Sequence, residues 1–524
     1  MSASTEKKQR QAAREAGTDK KTLAEQEAAK KKAKSNRRWT LGTIGVILLI
    51  ALILFLNSSF LYTHTTAISV GDASYSPAEV SYVYANRYYN WIQSYGSYAS
   101  IFGLDTSTGI AGLKQQECPI YDDGRTWHDY FMEEARSELS QMTVLCAWAD
   151  ANGVTLTDEE IAEVDDSIAT LDSSARAGGY ASGDKYFSAN YGTGVTSAVV
   201  REMALKSALA NKASSEYAAS LEYTDTELEE HYQSLDGAQD KFSFSYYLVN
   251  AEKVESTDAD GNTSSAVTEE TTAAAKDAAD DILTAYTALK QLNPDDDNYT
   301  AMLNSAVAQV APTAEATERS NITGGNLGDY KEWLMASGRK AGDATVVDKA
   351  DGSGSYVVVF LDRSDNHYPV AQVRHILIKA VADSDGSYTD KAKEIAKNRA
   401  EEILAEFNAG DKTEDSFAEL AKDYSEDTGS AENGGLYDTV YKGATVEEFD
   451  KFCFEGHKKG DTAIVYGESS SYAGYHVMYY VGEGDLYSNL LAKNDLVNTT
   501  VSQWLEDQVN ALTVTNGWWL RIAG

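Results

Sequence analysis

Val373-Arg374-His375-Ile376-Leu377-Ile378 is a short apolar-rich run holding one histidine, and Gly474-Tyr475-His476-Val477 has the same character about a hundred residues later. Both read as strands, because β-branched, aliphatic and aromatic residues fill a stretch of strand length. Between them, Ile395, Ala396, Arg399, Ile403, Leu404 and Phe407 space out as one helix, Phe417, Leu420, Ala421 and Tyr424 as a second, and Val446 to Phe454 as a third. Thr462-Ala463-Ile464-Val465-Tyr466 precedes the closing strand His476 to Val481. Residues 370–485 therefore form one α/β module of ordinary domain size.

The same order occurs once before, over 241–366. Phe244 to Val249 matches the first strand, Ile282, Leu283, Tyr286 and Leu289 the first helix, and Met302, Leu303, Ala306, Val307 and Val310 the second. Gly324-Gly325-Asn326-Leu327 is aligned with Gly434-Gly435-Leu436, and Tyr356 to Leu361 with His476 to Val481. Tyr246 then stands in place of His375 and Tyr356 in place of His476, so this copy is degenerate. Val254 to Ala275 is rich in Ser, Thr, Asp, Glu and Ala and is expected to be a loop insertion.

Outside the two modules the chain is helical. Ser76-Pro77-Ala78-Glu79, Thr157-Asp158-Glu159-Glu160 and Thr224-Asp225-Thr226-Glu227 each combine an N-cap hydroxyl with a glutamate three residues on, the signature of a helix start. Phe131, Ala135, Leu139, Met142 and Cys146 mark a further helix from Trp127. The aromatic set Tyr82, Tyr84, Tyr88, Tyr89 and Trp91 is read as core. Leu490, Leu491, Leu496, Val497, Val501, Trp504, Leu505, Val509 and Leu512 give a last helix that needs a partner, and it is assigned to the helices before residue 240.

The 524 residues carry a formal charge of −36. From Trp39 onward, 33 basic residues face 76 acidic ones, a net of −43. Such a field repels nucleic acid and anionic membrane surfaces and loosely favours basic partners. Leu41 to Leu56 is uncharged and follows Lys30, Lys31, Lys32, Lys34, Arg37 and Arg38, the pattern of a membrane span with its N-terminus inside. The expected order is a basic cytoplasmic tail (1–38), an anchor (39–62), a helical domain (63–240), the degenerate module (241–366), the second module (370–485) and a C-terminal helical segment (486–524). The fold class is α+β multidomain with a single transmembrane helix, the bulk lying outside the cell membrane. Three cysteines, Cys118, Cys146 and Cys453, make no disulfide framework, and a Cys118–Cys146 bridge is left open. Cys453 with His457 is too small a ligand set for a metal, and none is assigned.

The second copy resembles the parvulin family of peptidyl-prolyl cis-trans isomerases. The likeness runs through His375-Ile376-Leu377-Ile378, Phe417-Ala418-Glu419-Leu420-Ala421, Tyr424-Ser425-Glu426-Asp427, the glycine turn Gly429 to Gly435, Glu448-Phe449 and Gly474-Tyr475-His476-Val477. The layout of a helical region around parvulin-like units is similar to the PrsA and SurA foldases. The resemblance implies His375 and His476 side by side, with Asp427 as the polar group beside them. It also implies that Leu436, Thr445, Phe449 and Phe454 line a proline pocket. No cofactor is implied, because prolyl isomerisation only crosses the rotational barrier of an amide, about 18–20 kcal/mol. The loop Lys379 to Gly386 lacks the basic cluster that phosphate recognition needs. The implied partners are unfolded secreted polypeptides with proline-containing segments, and the implied activity is that of an isomerase and foldase. A non-catalytic holdase and a structural cell-surface component are the other classes. The double substitution Tyr246→His with Tyr356→His, made in the His476→Ala variant, is expected to add no isomerase rate to that of His476→Ala alone, because the loops of the first copy differ too.

Overall fold

A hydroxyl and a carboxylate three residues apart start three of the described helices of the first compact unit. In the computed structural model, which describes residues 3–17, 20–56, 59–257, 263–290 and 299–524, Ser76 and Glu79 cap the helix Pro77–Tyr95 reciprocally. Thr126 with Asp129 does the same for Trp127–Asn152, and Thr157 with Glu160 for Asp158–Ala177. Each box satisfies backbone N–H groups that the first helical turn leaves without partners. A hairpin of β1 (Ile68–Val70) and β2 (Ala73–Tyr75) precedes them.

The helix Ser197–Ala219 packs with these, and Tyr84, Trp127, Phe131, Leu139 and Met203 are fully buried among them. Trp91, Trp127 and Phe131 meet mostly edge to face, with ring centroids 5.2–6.3 Å apart. The tyrosines facing inward on Pro77–Tyr95 are thus core. All three cysteines are free thiols. Among the described residues no helix is long and apolar enough to cross a membrane. Leu41 to Leu56 lies in the helix Lys20–Leu56, and the side chains of residues 51–56 of that expected span fall outside the described set.

The second unit runs from Glu222 to Asn498. It opens with the helix Asp225–Ser234, capped by Thr224 and Glu227, whose Leu228 and Tyr232 bury against Ala492. Next comes β3 (Lys241–Asn250), then a hairpin of β4 (Lys253–Thr257) and β5 (Thr263–Val267). The segment expected to be a loop insertion therefore holds a paired hairpin and the start of the helix Glu269–Lys290, with 258–262 outside the described residues. The β-branched Val254, Thr257, Thr263 and Val267 suit an exposed two-stranded ribbon.

β6 (Ala316–Thr323), β7 (Ala344–Asp348) and β8 (Gly354–Ser364) complete the first sheet in the order β6-β3-β8-β7. The second sheet uses β9 (Pro369–Lys379), β10 (Leu436–Val440), β11 (Thr462–Glu468) and β12 (Ala473–Leu486) in the order β10-β9-β12-β11. The two orders are the same when each strand of one copy is matched to its counterpart in the other. The registers agree as well: His375 faces Met478 and Leu377 faces His476, while Tyr246 faces Val358 and Leu248 faces Tyr356. Tyr246 and Tyr356 therefore hold the two histidine positions.

The glycine alignment needs correction. Gly434 and Gly435 precede their edge strand β10, but Gly324 and Gly325 follow theirs, β6, and hydrogen-bond to Asp240 and Ala238. Sequence similarity of Gly-Gly-Leu to Gly-Gly-Asn-Leu had paired opposite ends of the edge strand.

Each sheet buries one face under a long helix. Ala275, Ala279, Ile282 and Tyr286 cover the first, and Ala396, Ala400, Ile403 and Phe407 of the helix Asp390–Ala409 cover the second. The last helix, Tyr487–Ala511, leads to β13 (Val514–Asn516), which pairs antiparallel with β1. Trp504, Leu505, Leu512 and Leu520 pack on the aromatic core of the first unit, which therefore comprises residues 1–221 with 499–524. Deleting 513–524 removes the strand beside β1 along with Leu520. It is expected to lower the melting temperature of the first unit by more than about 5 °C and leave that of the second in place. Calorimetry that resolves the two transitions checks this.

Candidate active site

His375 on β9 and His476 on β12 lie two residues apart across an antiparallel pair, on the same face of the sheet. Alternation sends Ile376, Ile378, Val477 and Tyr479 to the face covered by Asp390–Ala409 and by the helix Glu414–Tyr424. The histidine face carries Ala371, Val373, Met478 and Tyr480 against the helix Glu447–Phe454. The histidines are 2% and 4% exposed, so both imidazoles have left water and every ring nitrogen needs a partner.

The partners form a chain. Asp427 Oδ2 lies 3.0 Å from His375 Nε2, and His375 Nδ1 lies 3.1 Å from His476 Nδ1. Tyr472 Oη lies 3.0 Å from His476 Nε2. The His375 hydrogen bond holds the Asp427 carboxyl far below the usual carboxylate range; burial opposes this, and Ser430 and the Gly429 N–H add to it. An ionised carboxylate only accepts, so His375 donates from Nε2. A neutral His476 has one N–H and one bare nitrogen, so along this chain it donates to one of His375 Nδ1 and Tyr472 Oη and accepts from the other. Burial, then the neighbouring His375, pushes the His476 pKa down to about 3 against the pull of Asp427, which agrees with a neutral ring. Ser430 Oγ donates to Asp427 Oδ2 at 2.5 Å and Tyr437 Oη donates to it at 3.1 Å.

A glycine makes the approach possible. Gly435, at φ +69°, accepts from the His375 N–H, and a Cβ there would stand 2.1 Å from the His375 carbonyl oxygen. The turn can therefore pass directly beneath the strand and bring the Asp427 loop to the ring.

The structure gathers His375, His476, Asp427 and Phe449 as the sequence reading places them. The Phe449 ring stands edge-on to both imidazoles, its centroid 5.3 Å from each. Leu436 is not part of this group. It pairs with Arg374, whose side chain lies on the other face, and its neighbour Tyr437 packs on His375 at 4.7 Å instead. Phe454 turns aside too, placing its ring 5.7 Å from Tyr368. Thr445 is half-buried, with a buried hydroxyl that has no hydrogen-bond partner. Sequence reasoning missed Ser430, Tyr437 and Tyr472. All three are hydroxyl residues within ten positions of Asp427 or His476, a signal too common to single them out.

In the first copy Tyr246 and Tyr356 meet edge to face at 5.4 Å, and Tyr330 packs on both at 6.0 and 5.3 Å. Among the described residues no cluster of His, Cys, Asp and Glu has the form of a metal site. A cleft of about 720 Å³ is lined by Tyr232, Asp240, Arg363 and Asn366 among others and includes none of the histidine-site side chains.

The family described as the PPIC-type PPIase domain matches residues 357–480. Foldase protein PrsA 3 of Bacillus anthracis is 29% identical over 159 residues, which is 29% of this chain and 48% of that protein. Chaperone SurA of Alcanivorax borkumensis is 36% identical over 103 residues, 19% of this chain and 21% of its own length. The solved structure of PrsA from Bacillus subtilis aligns with 74% of this chain and 88% of its own at 14% identity, with a TM-score of 0.28. The chain spans about half the length of the curated relatives it matches first.

The depressed His476 pKa has a sign that calorimetry or urea titration checks. As pH falls from 6.5 toward 3, the unfolded chain takes up a proton that the folded His476 refuses, so stability falls. The expected loss from this group is on the order of 2 kcal/mol between pH 7 and pH 5. His476→Gln should remove that part of the slope. Asp427, with its lowered pKa, adds a further loss only below its ordinary value of 3.8.

Proposed function

We propose, taking residues 357–480 as the PPIC-type PPIase domain they match, that this chain is a membrane-anchored peptidyl-prolyl isomerase and foldase acting outside the cell membrane on secreted or cell-envelope polypeptides. The observation that carries the reading is the buried His375–His476 contact tied to Asp427, with Phe449 against both rings.

The chemistry is rotation about one amide bond, with a barrier of about 18–20 kcal/mol from C–N double-bond character. No proton has to leave the protein. Both ring nitrogens of each imidazole are engaged, and His476 stays neutral at ordinary pH, so neither ring is set up as a nucleophile. The pair acts as a fixed, dry floor. Phe449 and Tyr437 offer ring surface to a proline, and the polar rim at Asp427 orients the chain beside it. A site of this kind works by fitting the twisted amide better than the planar one. His375, Asp427 and His476 are assigned to the catalytic centre, and Phe449 with Tyr437 to the proline contact.

The uncharged run Leu41 to Leu56 behind its basic flank supports the anchor, with the N-terminus inside. The similarity to PrsA and SurA foldases supports unfolded polypeptides as clients. A second role, as a holdase, draws on the first copy, where three tyrosine rings stand at the position of the histidine site.

A protease-coupled assay with proline peptides on the full-length chain tests the reading. Wild type should accelerate isomerisation, and His476→Ala should lower kcat/KM by roughly tenfold or more without unfolding the second unit. A wild-type rate equal to the uncatalysed one would sink the isomerase assignment. Suppression of client aggregation that survives His476→Ala would locate the holdase role elsewhere in the chain.

A further inference from the structure

The helix that carries Phe449, Glu447–Phe454, is eight residues long, too short to hold itself, and Val446 at its N-cap makes no side-chain cap. Buried Phe449, Phe452 and Cys453 seat it on the sheet, and the preceding loop, Tyr441 to Ala444, sets its first turn. Asp450 reaches back to that loop and accepts from the Gly443 N–H at 2.8 Å. The loop is in turn held from outside at two points. Tyr368, in the join between the two modules, accepts the Lys442 N–H on its hydroxyl at 3.1 Å, and the Lys442 ammonium stands 4.5 Å from the centre of its ring. At the second point Asn321 of the first module lies against Gly443, where a Cβ would come within 3.0 Å of Nδ2. Asn321 and Arg363 from the first module line the cleft of about 720 Å³ together with Tyr368 and Lys442.

Tyr368 is itself fixed. Its N–H donates to the Asn366 carbonyl at 2.9 Å, its own carbonyl accepts from the Tyr487 N–H at 2.9 Å, and its ring meets Phe454 edge-on at 5.7 Å. Asn366 is 1% exposed, and its amide donates to the Tyr232 hydroxyl at 2.9 Å and to the Gln239 carbonyl, just before β3, at 2.8 Å. We propose that the first module serves the isomerase site of the second, with Asn321 and Tyr368 as positioning residues that hold the loop Tyr441 to Ala444 and, through Asp450, keep Phe449 at the proline contact. This rests on the isomerase reading given above. The degenerate copy then has a task that needs no histidine: it presents a fixed edge against which the loop is set. The route consists of hydrogen bonds and packed groups that touch in sequence, and it carries coupling if both holds act on the same binding constant. Release of either hold lets the first turn of the helix shift, and the proline ring loses surface in ground state and transition state alike.

The test combines the proline-peptide assay on the full-length chain with ¹⁵N labelling at phenylalanine, which reports the Phe449 amide. Tyr368→Phe keeps the ring against Phe454 and removes the hydroxyl that the Lys442 N–H reaches. KM should rise about threefold with kcat held, the effect of one lost hydrogen bond on binding, and the Phe449 resonance should move. Asn321 has φ +58°, so Asn321→Gly removes the amide without straining the backbone. It should raise KM about twofold and move the same resonance, although it lies on the other sheet. An unchanged KM in either variant overturns the proposal. A raised KM with an unmoved Phe449 resonance also overturns it, since the effect then bypasses the helix, and so does a fall in kcat with KM held. If wild type itself shows no isomerase activity, the functional reading fails. The Phe449 resonance then still decides the positioning: movement in both variants supports it, and no movement overturns it.

Discussion

The contact between His375 and His476 is the constraint on which the second module depends. Two imidazoles have been moved out of water, and each buried nitrogen left without a partner costs about 1–3 kcal/mol. The register of β9 on β12 brings the rings together, and the glycine turn delivers Asp427 to one end of the pair. Ser430 and Tyr437 then hold the carboxylate, and Tyr472 meets the other end. Stability and site geometry are therefore one requirement here. A fully satisfied polar network of this kind fixes a single arrangement, where a partly satisfied one would be a liability.

The first module shows that the frame does not need the network. Its sheet has the same strand order and the same register, with Tyr246 and Tyr356 at the histidine positions. Ring-on-ring contact with Tyr330 and Phe244 takes the place of the proton chain. Aromatic surface fills volume without demanding a partner for every polar atom, so the sheet can tolerate altered loops around it. What the two copies share is alternation that buries both faces of a four-stranded sheet. What differs is the chemistry placed at one pair of positions on it.

The first compact unit is assembled from both ends of the chain. β13 completes a small sheet with β1, and Trp504 stacks near Tyr217. Contacts this far apart in sequence carry a larger loop-closure cost than local ones. The aromatic helix Pro77–Tyr95 has nearer partners in Trp127–Asn152, which share its buried core.

The sequence by itself determined the features that depend on neighbours in the chain. Capping boxes at Ser76, Thr157 and Thr224 are local hydrogen bonds, and they start helices where the spacing says they must. Strand and helix order in both copies, and the pairing of Tyr246 with His375 and of Tyr356 with His476, follow from alternation and periodicity. The tertiary structure decided whatever depends on which way a strand faces across a turn. Leu436 and Tyr437 are adjacent, and a shift of one residue sends a side chain to the opposite face; only the pairing with Arg374 and Val373 selects Tyr437. The glycine pair at Gly324 lies at the other end of its edge strand for the same reason, since composition does not say on which side of a strand a turn falls. Ser430 and Tyr472 belong to the site because turns bring them back to residues already placed. That closure is a property of the folded chain, and no pattern within either segment encodes it.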